Sequence, residues 1–341
     1  MRHPGALKPL KISVLILAAA TVLPIHAQSR KIVVFSMPPE AIRELEAVSS
    51  GVSIVAAERN RELEQVADAD AILGTISPEL FRAAKKLKWV QVYSAGVETY
   101  RFPEFIASDV VFTNCKIIQG PNLADHAFAL LLSLTRDLNR TIPAQASQEW
   151  DRREFHPIEL RGKTAVIIGV GGIGTQIAQR ARAFDMTVIG VDPRDMPLNV
   201  NVSRMVYPDR LDEVLPKADV VFVSAPHTPE SEGMIGAKQF EEMKQGAYFI
   251  AVSRGKLYDT NALVKALDSR RLAGAGLDVT NPEPLPKGHP LWKFGNVVIT
   301  PHIAGQSDQV QSRRMELIKE NIARFARGAP LLNVVDKKKG Y

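Results

Sequence analysis

The sequence predicts an α/β protein with two Rossmann-like or flavodoxin-like domains, each on a parallel sheet, separated by a cleft. Three observations predict it. Apolar, β-rich runs alternate with helix-patterned segments from residue 31 to 93, the alternation that builds a parallel sheet covered by helices. A second βα series runs from Thr164 to Thr300. A helical segment stands at each junction, one opening near Pro121 and one spanning about 307–326. The length of 341 residues suits about two domains of ordinary size. With 45% hydrophobic and 23% charged residues, the chain can build cores without covalent staples.

Residues 1–27 read as a secretory signal. Lys8 and Lys11 give a positive start, Ile12 to Leu23 is an apolar stretch too short to span a bilayer comfortably, and Ala27 is the small residue that cleavage requires. Export is therefore expected, with no stable membrane span after processing. The alternative is a cytoplasmic chain, favoured by the scarcity of free dinucleotide outside the cytoplasm. Removing Arg2, Lys8 and Lys11 lowers the formal charge from +6 to +3. The remaining positive charge is scattered, except for Lys337-Lys338-Lys339, which reads as a solvated end. No basic helix carries interleaved aromatics, so nucleic acid is not an expected partner.

The first series has strands at KIVVF (31–35), VSIVA (52–56), DAILG (70–74) and WVQVY (89–93), with helical spacing near 39–48, 61–68 and 78–87. The single cysteine, Cys115, excludes an internal disulfide and reads as a small buried hydrophobe. A helix starts at Pro121, with Asn122 as its N-cap and Asp125 in its first turn. Its run Ala127 to Leu132 is apolar on all sides and so should be buried. The second series has strands at 164–168, 187–191, 219–223, 248–252, 274–278 and 296–300. The seven histidines are unclustered and zinc-ligand spacing is absent, so no metal is expected.

Gly169-x-Gly171-Gly172-Ile173-Gly174 follows the strand TAVII and opens a helix to Phe184. The first glycine permits a tight turn, the second admits a pyrophosphate to the backbone, and the third lets helix and strand pack closely. The helix start offers unpaired N–H groups to the phosphates. Asp192 stands 18 residues past Gly174, after TVIGV. A carboxylate there accepts from the adenosine ribose and repels a 2′-phosphate, which points to NAD. Arg194 belongs to the same loop and is the group that would accommodate such a phosphate.

Three reactive side chains end other strands of this series. Arg254 follows YFIAV, Glu283 follows AGAGLDV, and His302 follows NVVIT. In a parallel sheet such strand ends face one crevice. Hydride exchange with a 2-hydroxy acid needs a cation for the carboxylate and C2 oxygen, which suits the planar fork of Arg254. It needs an acid/base for the hydroxyl proton, which suits His302. A carboxylate behind the imidazole should orient it, which suits Glu283 held between Pro282 and Pro284. Asp278 is a candidate for setting Glu283 or touching the nicotinamide. His227 is a further cleft candidate without an assigned chemical role, and Trp150 reads as packing.

These residues stand within a longer set of matching stretches: LKWVQVYSAGVE (87–98), ADHAFALLLSLTR (124–136), ELRGKTAVIIGVGGIG (159–174), VSRGKLYDTNALVKAL (252–267), AGAGLDVTNPEPLP (273–286), PLWKFGNVVITPHIAG (290–305) and NVVDKKKGY (333–341). With them the chain resembles the D-isomer-specific 2-hydroxyacid dehydrogenases over nearly everything after residue 30. The resemblance implies a substrate domain from 28–122 and 306–341, and an NAD-binding domain from 123–305. It implies an NAD-dependent enzyme that interconverts a small 2-oxo acid and a D-2-hydroxy acid, of glyoxylate/hydroxypyruvate type or larger. It carries the catalytic roles onto Arg254, Glu283 and His302, gives the loop Ser94-Ala95-Gly96-Val97 backbone donors for the substrate carboxylate, and implies a homodimer. Glu283 argues against formate-oxidising relatives, which carry Gln there. A phosphite-type dehydrogenase and an NAD-binding, corepressor-like protein remain alternatives. The chain departs from the common pattern at Thr99-Tyr100-Arg101-Phe102, where Tyr100 and Phe102 are candidates for the pocket wall, and at Asp125 and His227.

Overall fold

A computed structural model describes residues 29–150, 155–196 and 200–341. The expected signal at 1–27 lies outside the described residues. The first sheet contains β1 (Arg30–Val34), β2 (Val52–Ala56), β3 (Ala71–Gly74), β4 (Trp89–Val92) and β5 (Val111–Thr113). All its pairings are parallel and its order is β2-β1-β3-β4-β5, the flavodoxin-like order. The second contains β6 (Thr164–Ile168), β7 (Thr187–Val191), β8 (Arg204–Val206), β9 (Val220–Val223), β10 (Ala247–Ala251), β11 (Leu272–Leu277) and β12 (Val297–Ile299). Its order is β12-β11-β10-β9-β6-β7-β8, again all parallel, so strand order reverses between β6 and β9. That reversal is where a doubly wound sheet opens a crevice.

Both faces of each sheet are buried, which is why the strands read as continuous apolar runs. In β1, Val33 packs into a core with Ile72, Val90, Phe105 and Phe112 on one face. Its neighbours Ile32 and Val34 pack on the other face with Leu45 and Trp89. Met315, Ile318, Ile322 and Phe325 complete that second core. They come from the helix Val310–Arg327, so the last long helix of the chain covers the first sheet. A buried polar chain ties it there: Trp89 Nε1 donates to Thr113 Oγ1 at 2.7 Å, Thr113 to Gln91 Oε1 at 2.8 Å, and Asn321 Nδ2 to Gln91 Oε1 at 3.0 Å.

The second sheet repeats the arrangement. Ala165 and Ile167 face a core shared with the helices Gly120–Thr135 and Gly172–Ala183. Val166 and Ile168 face Leu211, Phe240 and Leu263 on the opposite side. Truncating a large buried ring here, such as Phe222, should cost about 3–5 kcal/mol.

The helix Gly120–Thr135 is N-capped by Gln119, not Asn122. Asn122 lies one turn inside, and its Nδ2 donates to Ala304 O at 2.7 Å. Gln119 Nε2 donates to Gly305 O at 3.2 Å. The two segments that cross between the sheets are thus pinned side by side, and the polar pattern that suggested a cap serves this crossing. Asp125 pairs with Arg180 at 2.7 Å. Trp150 is 90% exposed rather than packed. Among the described residues no helix is long and apolar enough to cross a membrane.

Candidate active site

The crevice between the sheets is a cleft of about 960 Å³. Its walls include Ala95, Gly96 and Val97 from the loop after β4, the glycine loop, Asp192 and Arg194 after β7, Arg254 after β10, and His302 after β12.

The glycine loop is shaped by steric need. Gly169 has φ +88°, and a Cβ there would lie 2.4 Å from Ala225 Cα. A Cβ on Gly174 would lie 2.0 Å from the Gly169 carbonyl oxygen. Gly171 is different: the nearest atom to its imagined Cβ is Arg194 Nη2 at 3.9 Å. The open space is on the cleft side, at the start of the helix Gly172–Ala183, whose N-cap residue Gly171 supplies no side-chain cap. Free N–H groups, a positive helix end and an open approach suit a pyrophosphate.

Asp192 is 4% exposed. Its carboxylate accepts from Val170 N at 3.0 Å, from Arg194 Nε at 2.8 Å and from Arg194 Nη2 at 3.0 Å. Burial alone would push this carboxyl up, but the Arg194 side chain and the backbone N–H groups of Arg194 and Val170 hold it below the usual carboxylate range. An ionised acceptor therefore stands where the adenosine ribose of a dinucleotide would lie.

Arg254 leaves β10 with extended backbone. Gly255 follows because a Cβ there would lie 1.9 Å from Thr280 O, so this turn sits directly on the loop leading to Glu283. Arg254 Nη1 donates to Ser253 O at 2.7 Å, and its Nε donates to Glu98 Oε1 at 3.1 Å across the cleft. A Cβ on Gly96 would lie 1.9 Å from Arg254 Nη2. The guanidinium is therefore laid against the Ala95-Gly96-Val97 loop. Glu98 as the partner of Arg254 escaped the sequence reading, although it closes the quoted stretch YSAGVE.

His302 Nδ1 and Glu283 Oε1 are 3.1 Å apart, both partly exposed. The backbone of His302 has φ +53°, a sparsely populated region for a residue with a side chain and one that clusters at functional sites. What holds it there is Asp278. His302 N donates to Asp278 O at 2.9 Å, while Ile303 N and Ala304 N donate to the Asp278 carboxylate, each at 3.0 Å. Thr300 Oγ1 adds a bond at 2.6 Å. The Asp278 side chain is fully buried and off the cleft wall. The structure thus gives Asp278 the ordering of the His302 turn. The Glu283 loop is tied by Thr260 Oγ1 donating to Asn281 O and Thr280 Oγ1 donating to Pro282 O, both at 2.9 Å.

Three further expectations are corrected. Tyr100 and Phe102 are not on the cleft wall; they pack with Phe112 and Phe105 in the first domain's core. His227 is held by Glu232 at 2.9 Å, outside the cleft lining. The lysine run is not a free end: Lys337 Nζ donates to Ser108 O at 2.6 Å and Val110 O at 2.8 Å.

A model of the D-isomer specific 2-hydroxyacid dehydrogenase NAD binding domain matches residues 128–304. The chain belongs to that family. A glyoxylate reductase of Thermofilum pendens is 33% identical over 82% of this chain and 85% of its own length. A D-3-phosphoglycerate dehydrogenase of Archaeoglobus fulgidus is 34% identical over 76% of this chain, which spans about half (49%) of that relative. Among solved structures, an NADPH-dependent glyoxylate/hydroxypyruvate reductase from Sinorhizobium meliloti, in complex with NADP and sulfate, is 27% identical. It superposes with a TM-score of 0.77, covering 92% of this chain and all of that one. The dehydrogenase family and its two-sheet fold account for the glycine loop, the crevice and the strand-end residues together.

Proposed function

We propose that this dehydrogenase reduces a small 2-oxo acid to the D-2-hydroxy acid, or runs the reverse, with NADH as partner. The observation that carries the reading is His302, held by Glu283 at 3.1 Å and lining the same cleft as Arg254. The substrate domain is assigned to 28–122 and 306–341, and the NAD-binding domain to 123–305. When bound, the nicotinamide supplies the hydride. Arg254 and the N–H groups of Ala95, Gly96 and Val97 hold the substrate carboxylate, and the guanidinium polarises the C2 carbonyl. His302 gives its proton to the carbonyl oxygen as C2 gains the hydride, and Glu283 supports the charged imidazolium beforehand. Glu98 keeps Arg254 turned toward the loop.

The relatives support a short substrate, because several are glyoxylate reductases. Incubating the purified protein with NADH and glyoxylate, hydroxypyruvate, pyruvate or phenylpyruvate tests this. Turnover with at least one is expected; NADH binding without turnover on any of them would defeat it. A homodimer is also proposed. Leu138 and Ile142 on the helix Leu138–Ala146, and Trp150 beyond it, leave an exposed apolar face that a second copy would cover. Sedimentation of the parent and of Trp150→Glu checks it. Export is proposed from the signal-like residues 1–27, and N-terminal sequencing of the protein from cell fractions decides it.

A further inference from the structure

The tail Asp336–Tyr341 is built on the first domain but ends against the second. Val335 N donates to Phe112 O at 2.8 Å, and Arg101 donates to Lys337 O at 3.0 Å and Lys338 O at 2.6 Å. The tail closes on itself as a turn: Lys338 N and Lys339 N donate to Asp336 Oδ1 at 2.9 and 3.0 Å, and Gly340 N donates to Asp336 O at 2.7 Å. Gly340, at φ +84°, passes directly over the Arg101 guanidinium, where a Cβ would come within 2.8 Å of Nη1. This anchored turn lines the cleft and sets the Tyr341 ring 5.8 Å from the Arg194 guanidinium carbon.

Arg194 is the side chain that grips Asp192 through two bonds. Three groups compete for it at the adenosine end of the cleft: the Asp192 carboxylate, the aromatic face of Tyr341, and the 2′-phosphate of any NADPH that enters. Arg194 can give the phosphate its Nε and Nη2 donors only by turning away from Asp192. Otherwise the phosphate meets a buried carboxylate of like charge. We propose that Tyr341 is a positioning residue for coenzyme choice: with its ring at cation–π range of Arg194 from across the cleft, it keeps the guanidinium on Asp192 and so disfavours NADPH relative to NADH. This rests on the reading that a dinucleotide lies along the glycine loop. It also ties coenzyme choice to cleft geometry, because Tyr341 and Arg194 belong to different domains.

The test is a set of equilibrium titrations of NADH and NADPH, followed by coenzyme fluorescence, on the full chain and its variants. Loss of an exposed cation–π contact is worth a few-fold. Tyr341→Ala should therefore lower the ratio of the NADPH to the NADH dissociation constant by about threefold, while Tyr341→Phe, which keeps the ring, leaves the ratio at the parent value. In an Arg194→Ala background, Tyr341→Ala should no longer change the ratio. A ratio unmoved by Tyr341→Ala, a shift shared equally by both coenzymes, or a shift that persists without Arg194 would overturn the proposal. If neither coenzyme binds the parent protein, the dinucleotide reading itself fails, and that outcome is distinct from the other three.

Discussion

Two glycines three residues apart should fail in different ways. In Gly174→Ala the new methyl lands 2.0 Å from the Gly169 carbonyl oxygen and 3.0 Å from its carbon. Both atoms are backbone, in a turn fixed by Gly169 at φ +88°, so neither can rotate aside. Overpacking of this kind costs about 1–3 kcal/mol of folding stability. In Gly171→Ala the methyl meets nothing nearer than 3.9 Å, so stability should stay within about 0.5 kcal/mol of the parent. That methyl instead occupies the approach to the free N–H groups of the helix Gly172–Ala183. A clash of about 1–3 kcal/mol with the pyrophosphate weakens NADH binding by roughly 5- to 150-fold. Guanidinium unfolding midpoints measure the first effect and NADH fluorescence titration the second. A Gly171→Ala protein that binds NADH as tightly as the parent, or a Gly174→Ala protein of undiminished stability, would refute the assignment of the loop.

The other predictions concern single side chains. His302→Asn should reduce turnover by about 10²–10⁴-fold while leaving NADH affinity near the parent value, which stopped-flow binding beside steady-state rates will show. Glu98→Gln removes the cross-cleft partner of Arg254, an ion pair about one-third exposed and worth about 0.2–1 kcal/mol. The KM for the 2-oxo acid should rise about two- to fivefold, with a smaller change in kcat. Cys115 is buried, and burial pushes its thiol up to about 11. At pH 8 it should resist a disulfide thiol reagent in the native state and react fully in denaturant.

The parts of the fold legible in the sequence were those in which one signal dominates. Doubly buried strands such as TAVII and VVFV (220–223) read as nearly unbroken apolar runs, and the glycine spacing named its own turn. β5 and β8, at three residues each, were missed because each begins on an exposed residue, whereas β12, equally short, lies within the apolar run NVVIT. Arg254, Glu283 and His302 were legible because each follows a strand, and strand ends of a parallel sheet share an edge. Glu98 was not, since its meaning depends on how two domains face each other over 156 positions of sequence. Asn122 misled because a polar residue near a helix start has two physical uses: capping its own helix, or, as here, bonding a neighbouring segment. Asp278 was placed on the correct strand end, but only coordinates show its carboxylate turned under the His302 backbone. The lysine run at 337–339 looked solvated because sequence carries no sign of the carbonyls of Ser108 and Val110 waiting beneath it.

The central claim is that Arg254, His302 and Glu283 work together on a substrate beside a hydride donor. Deuterium tracing tests it most directly: NADH labelled at C4 on the transferred face, mixed with the best 2-oxo acid, and the product read by proton and deuterium NMR. The account predicts label at C2 of the hydroxy acid, accumulating at least a hundred times more slowly (about 10²-fold) in His302→Asn. Product without label at C2, or label arriving at an undiminished rate in both His302→Asn and Arg254→Ala, would contradict it.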